Sequence, residues 1–195
     1  MLSSLTLKNF KPFENQSFSL KPLTLLTGLN STGKSSVLQS LLLLRQSCLQ
    51  DELLDRVGLV LNGDLVSIGT GQDALFKRAK QDLITLEIVM DNDNDIKGTW
   101  IFDCDRQSDI MRLSPIMKLS PDLALAASCG IQIIVETHSD HVLNGIRKAV
   151  KYKKLDPEKV QINYFERYLK KGEPTIEIIT PQIYSDGGID KWPDG

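Results

Sequence analysis

The chain has 195 residues, 41% of them hydrophobic and 25% charged, with a formal net charge of −2. That balance fits one globular domain, or one domain with a small subdomain, and it supplies no global basic field for nucleic acid. The three cysteines (Cys48, Cys104, Cys129) lack the paired spacing of a zinc site or a disulfide framework, and the longest aliphatic run, Leu41–Leu44, is far too short to span a bilayer. No secretory pattern opens the chain, so the expected location is cytoplasmic, with no membrane partner.

From the N-terminus, Leu2–Lys8 alternates apolar and polar residues and predicts a half-buried strand. Residues 9–15 read as a loop with two aromatics. Phe10 and Phe13 there have two readings, a platform beside an adenine ring or an apolar plug under a hairpin, and the plug is favoured. Gln16–Leu20 alternates again, and Leu23–Thr27 is a third short strand, so two or three antiparallel strands are expected ahead of Gly28.

The stretch beginning at Gly28 organises the rest of the chain. Gly28 is followed four residues later by Gly33-Lys34-Ser35, after an apolar strand and before an apolar helical pattern. This is the strand, Gly-x-x-x-x-Gly-Lys-[Ser/Thr], helix arrangement of a nucleotide-phosphate loop. The glycines allow backbone conformations that side chains resist. The loop then turns its N–H groups inward as an anion nest, and the positive end of the helix dipole adds to it. The expected phosphate-binding segment is Gly28–Ser36, including Asn30, Ser31 and Thr32. Lys34 would reach the β- and γ-phosphates, Ser35 would place its hydroxyl on Mg²⁺, and Ser36 would bond an α-phosphate oxygen.

Lys34 to about Gln50 predicts a helix with a broad apolar face, Val37, Leu38, Leu41, Leu42 and Leu44, and Asp51–Asp55 either extends it or starts a further turn. Val57–Leu61 is a short apolar segment, followed by a turn at Asn62-Gly63-Asp64. Asp55–Gly58 offers an Asp-x-x-Gly match, but no strand precedes it and no Asn-Lys-x-Asp occurs, so a GTPase reading is weak. Leu65–Ala79 carries two close glycines and then Gln72, which reads either as a sensor of the γ-phosphate and Mg²⁺ or as an exposed loop residue. Residues 82–90 and 98–103 predict a hairpin. Its acidic turn (Asp91, Asp93, Asp95) begins like a calcium loop, yet Ile96 and Phe102 stand where that loop needs glycine and glutamate. Asp103 and Asp105 read as solvated strand-end carboxylates or as a metal-holding pair.

Residues 110–120, with Ser-Pro at 114–115 and again at 120–121, read as broken structure, and Asp122–Ser128 as a short helical run. Ile131–Glu136 is near-continuously apolar and predicts a buried, parallel-type strand. It ends at His138, where α/β sheets place their chemistry, so His138 is expected to hydrogen-bond a γ-phosphate or the water attacking it. A metal pair of His138 with His141 is the weaker reading. Ser139 or Asp140 caps the next helix, roughly 141–153, whose buried stripe is Val142, Leu143, Ile146 and Val150. Its basic end (Arg147, Lys148, Lys151, Lys153, Lys154) is explained by the helix dipole, with a nucleic-acid contact as the second reading. Val160–Leu169 and Thr175–Thr180 form a last strand pair, and the turn-rich tail from Ser185 reads as cut.

With these residues in place, Leu5–Leu44 resembles the N-terminus of SMC/ABC-type ATPase heads, and more closely the bacterial AAA-type ATPases found in anti-phage and toxin-like systems. Gly130–Val150 resembles their switch-histidine segment, and Val160–Gly195 the C-terminal segment of one branch. The resemblance implies an α/β fold: a P-loop NTPase sheet of ABC/SMC-head type with an antiparallel β-subdomain. It also implies one ATPase domain over 1–195, with a β-hairpin subdomain at 57–112. It implies ATP and Mg²⁺ as cofactors, Gly28–Ser36 as their site, His138 as the switch histidine, and Gln72 as an approximate Q-loop match. Such heads form homodimers that control a protein effector. Two family features are missing from the chain, the Ser-Gly-Gly-type signature and an apolar strand ending in the Walker B acid. An internal gap near 105–122 is therefore expected, and weak or no hydrolysis by these residues alone. Two alternatives stand: an ATPase-coupled nuclease using Asp103 and Asp105 for metal, and a nucleotide-gated scaffold without turnover.

Overall fold

The computed structural model describes residues 1–50, 58–91, 96–113, 132–138, 140–170 and 173–191. Along the chain run β1 (Leu2–Phe10), β2 (Phe13–Ser19), β3 (Leu23–Gly28), α1 (Lys34–Leu49), β4 (Gly58–Val60), α2 (Gly71–Ala74), β5 (Leu83–Met90), β6 (Ile96–Asp103) and β7 (Ile110–Leu113). After these come β8 (Ile133–Glu136), α3 (Asp140–Lys151), a 3₁₀ turn (Pro157–Lys159), β9 (Val160–Lys170) and β10 (Glu173–Ile179). The fold is mixed α/β with two sheets. No helix among the described residues is long and apolar enough to cross a membrane. The chain divides into two compact units: Met1, Ser19–Lys34 and Cys129–Gly195 in the first, Leu2–Phe18 and Ser35–Ser128 in the second.

The second unit is built on a six-stranded sheet in the order β2-β1-β5-β6-β7-β4. Its β5 shows the period of two that a sheet with one covered face requires: Ile84, Leu86, Ile88 and Met90 are buried and the residues between them are not. Antiparallel β6 brings Trp100 and Phe102 to the same core. Phe10 and Phe13 are both buried, and Phe13 meets Phe18 edge to face at 5.4 Å, so these aromatics are core, as the plug reading expects. Two polar residues of α1 hold β4. Ser47 Oγ accepts from the Val60 amide at 2.8 Å, and Gln46 Nε2 donates to the Val60 carbonyl at 2.8 Å.

The first unit has a four-stranded sheet in the order β10-β9-β3-β8, in which β3 is parallel to both neighbours and β9 and β10 are antiparallel. One face carries Leu25 and Ile162, packed with Leu143 and Val150 of α3 and with Val135 and Ile146. The spacing of Leu143, Ile146 and Val150 puts them on one helical stripe. Lys148 and Lys151 lie in the last turn, where the helix dipole favours cations.

Five sequence expectations are corrected. Val142, expected in the buried stripe of α3, is exposed, lying off the face that carries Leu143, Ile146 and Val150. The loop expected at residues 9–15 shrinks to a tight turn, because β1 runs to Phe10 and β2 starts at Phe13. β3 does not extend an antiparallel set with β1 and β2; it belongs to the other sheet. Thr24, Leu25 and Leu26 are consecutive and fully buried, so both faces of the strand are covered, as a parallel strand demands. Ile110–Leu113 is a strand, not broken structure, pairing with β4 and β6 ahead of the first Ser-Pro. β8 is shorter than expected and less buried: it ends the strand order, and Ile133 is 51% exposed. Several expectations lie outside the described residues: the Asp51–Asp55 extension, most of Asp-x-x-Gly, the acidic turn at 92–95, the Ser-Pro pairs, the run at 122–128 and Ser139.

Candidate phosphate-binding site

β3 delivers the chain to Gly28, whose φ of +120° suits glycine alone. A Cβ at Gly28 would sit 2.2 Å from the Phe165 carbonyl oxygen and 2.6 Å from the Phe165 nitrogen on neighbouring β9. The loop is pinned to that strand, since Leu29 N donates to Phe165 O at 3.0 Å. Ser31 (φ +60°) and Gly33 (φ +94°) curl the backbone further, and Thr32 Oγ1 closes the turn by donating to Leu29 O at 2.8 Å. The tip, Leu29–Ser31, is exposed, while Thr32 is fully buried.

Lys34 opens α1, whose first N–H groups have no helical acceptors. Its side chain is only 3% exposed and folds back over the loop, Nζ donating to Leu29 O at 2.6 Å and to Gly28 O at 3.2 Å. Burial lowers the Lys34 pKa, and the Glu136 carboxylate partly opposes that shift by favouring the charged ammonium. The following two residues differ, Ser35 being exposed and Ser36 buried.

The register of β8 on β3 pairs Leu26 with Glu136, and Thr137 N continues the ladder to Leu26 O at 3.0 Å. Because the strands are parallel, His138 leaves the sheet at the same carboxyl edge as Gly28, and it is exposed. Gln72 lies in the second unit, exposed on the four-residue α2, its backbone N–H donating to Arg106 O at 3.0 Å. Asp103 and Asp105 are exposed, and Asp105 Oδ1 accepts from Gln107 N in a local turn. Among the described residues, no group of three or more His, Cys, Asp or Glu could hold a metal ion. Arg147 of the basic cluster is engaged, Nε donating to Gly187 O at 2.8 Å.

Three residues of this site carry no role in the sequence reading. Glu136 was visible as an acid ending an apolar, parallel-type strand. Asn163 was visible as an amide inside an apolar and aromatic run. Phe165 acts through its backbone, for which side-chain pattern gives no signal.

The fit to a phosphate group is a property of the loop itself: a floor at Gly28 with no room for a Cβ, a buried ammonium and the open start of a helix. Mg²⁺ fits the donor set as well, since such sites take few protein oxygens and complete the shell with phosphate and water.

Comparisons with known proteins bear on the same segments. Residues 1–111 match the family described as AAA ATPase domain (AAA_15), and residues 155–195 match a family described as a protein of unknown function (DUF3696). No curated protein matches the chain. Among solved structures, the SMC head domain from Thermotoga maritima is similar at 14% identity and a TM-score of 0.34, over 91% of this chain and 61% of that one. The chain therefore spans about three-fifths of that head's length. A second similar structure is an SMC head bound to the C-terminal winged-helix domain of ScpA, at 15% identity and a TM-score of 0.34, over 97% of this chain and 69% of that one. More than half of the chain, including the whole Gly28–Ser36 loop, falls within the first family match, and the chain belongs to the AAA ATPase domain family.

Proposed function

We propose that Gly28–Ser36 binds the phosphates of ATP with Mg²⁺, and that the chain is part of an ATP-hydrolysing head, with weak or no turnover by these residues alone, whose nucleotide-driven homodimerisation controls a protein effector in bacterial anti-phage defence. The observation that carries the nucleotide reading is Lys34. A buried ammonium that donates to two carbonyls of its own loop is a cation held ready for an anion, at the start of a helix that favours one. On binding, Lys34 exchanges those carbonyls for β- and γ-phosphate oxygens. The Ser35 hydroxyl would hold Mg²⁺, which would supply charge neutralisation to the phosphates, and Ser36 would bond the α-phosphate. His138, leaving the sheet at the loop's edge, orients the γ-phosphate or its attacking water. Phosphoryl transfer needs little else from a protein than such positioning and charge. The effector and the defence setting rest on the resemblance of Leu5–Leu44 and Gly130–Val150 to that group of ATPases, whose Q-loop Gln72 matches only in approximate position. The test is titration of the full chain with a fluorescent ATP analogue. Lys34→Ala should weaken binding at least about tenfold, the worth of one charge-assisted hydrogen bond. Equal affinity of the two proteins would refute the site.

A further inference from the structure

β3 is the centre of a row of three side chains. Leu26 pairs with Glu136 of β8 on one side and with Asn163 of β9 on the other. Residues paired across neighbouring strands project from the same face, so a carboxylate and an amide flank Leu26 there. The opposite face carries the apolar cluster of Leu25, Val135 and Ile162. Asn163 is fully buried, and neither its Nδ2 nor its Oδ1 has a hydrogen-bond partner among the described residues. A buried amide with both ends open marks a face built for a polar occupant beyond the protein's own groups. Glu136 lies two residues before His138, on the strand end beside the loop, and its charge is felt at the Lys34 ammonium.

A carboxylate in that position has two opposite effects on an incoming triphosphate. It repels the bare anion and competes with it for Lys34. Once a divalent cation accompanies the phosphates, the same carboxylate is attracted to the ion. We propose that Glu136 is the residue that makes nucleotide binding at this loop conditional on a divalent cation, disfavouring metal-free triphosphate and favouring the metal complex. Glu136 acts through the cation and through Lys34, which makes it a positioning residue. In the free protein its charge favours the Lys34 ammonium. The inference rests on the reading of Gly28–Ser36 as a nucleotide site.

The experiment measures the affinity of the full chain for a fluorescent ATP analogue in excess Mg²⁺ and in excess EDTA, for the wild type, Glu136→Gln and Glu136→Asp. The readout is the ratio of the two dissociation constants, which a purely structural role would not move. Glu136→Gln should shrink that ratio by about tenfold, which is ~1.4 kcal/mol, chiefly by tightening metal-free binding. Glu136→Asp, which keeps the charge, should restore most of it. A Glu136→Gln ratio within about twofold of the wild type overturns the inference while leaving the nucleotide site standing. If Glu136→Gln does not fold, the wild type and Glu136→Asp decide, because a wild type that binds ATP equally well with and without Mg²⁺ overturns it directly. A wild type that binds no nucleotide in either buffer refutes the site and this inference together.

Discussion

Gly28→Ala is a severe test of how the loop is built. An alanine there meets two separate penalties. Its φ of +120° lies where side chains are strained, at about 1–3 kcal/mol. Its Cβ would also stand 2.2, 2.6 and 2.9 Å from the O, N and C atoms of Phe165. These are backbone atoms of a paired strand, so no side chain can swing away, and relief requires moving β3 off β9. That movement breaks the Leu29 N to Phe165 O bond, worth about 1 kcal/mol. Strain, lost bond and opened strand pair together give roughly 3–5 kcal/mol, against a total stability on the order of 5–15 kcal/mol for a domain. Gly145→Ala is the matched control. Gly145 lies inside α3 with nothing within 4 Å of its Cβ position, so alanine there should stabilise by about 0.5–1 kcal/mol. Urea unfolding followed by circular dichroism gives both values, and hydrogen exchange at the Leu29 amide reports the strand pair itself. A Gly28→Ala protein within about 1 kcal/mol of the wild type, with Leu29 still protected, would refute this account of the loop.

Two further expectations concern buried groups. Asn163→Val, nearer in size than leucine, removes an amide with no hydrogen-bond partner among the described residues, so it should raise stability by about 1–2 kcal/mol in the same urea assay; a loss of stability would mean that the amide is satisfied after all. Cys104 is held as a thiol, its pKa pushed up to about 11 by burial first and by the Asp82 carboxylate next, with Arg106 opposing. The native protein therefore holds that proton more tightly than the unfolded chain, whose thiol titrates near 9.0. The contribution of Cys104 to stability is full below about pH 9 and is lost as pH rises from there to about 11. Cys104→Ser should flatten that part of the pH dependence, and native Cys104 should resist a thiol reagent at pH 8; an unchanged slope with rapid labelling would contradict the burial.

Legibility in the sequence tracks the range of the interactions. The strand–loop–helix passage at Gly28 is local, because glycine spacing, lysine position and the start of the helical pattern all fall within one stretch. The β5–β6 hairpin was equally plain, since alternation and the turn lie side by side. β7 was hidden because four residues carry little period and a Ser-Pro comes at once after them. The sheet membership of β3 was hidden for a different reason: its partners are distant in the chain, and nothing in Leu23–Thr27 names them. The same distance concealed the roles of Glu136, Asn163 and Phe165. The first two stand out by type along their own strands, yet all three acquire a role only from the register against Leu26 or Gly28.

That register changes how the family match should be read. The matched segment, residues 1–111, contains the whole loop but neither strand that borders β3. Those strands are β8 and β9, at Ile133–Glu136 and Val160–Lys170, and β9 falls within the second matched segment, residues 155–195. Gly28 takes its conformation against the Phe165 backbone, Leu29 bonds to it, and Lys34 feels the charge of Glu136. The lysine and glycines that define the motif are thus supplied by one family segment, while the groups that fix their geometry and charge come from beyond it. A phosphate loop of this kind is a product of the whole sheet, and substitutions at Phe165 or Glu136 bear on it as directly as substitutions within Gly28–Ser36.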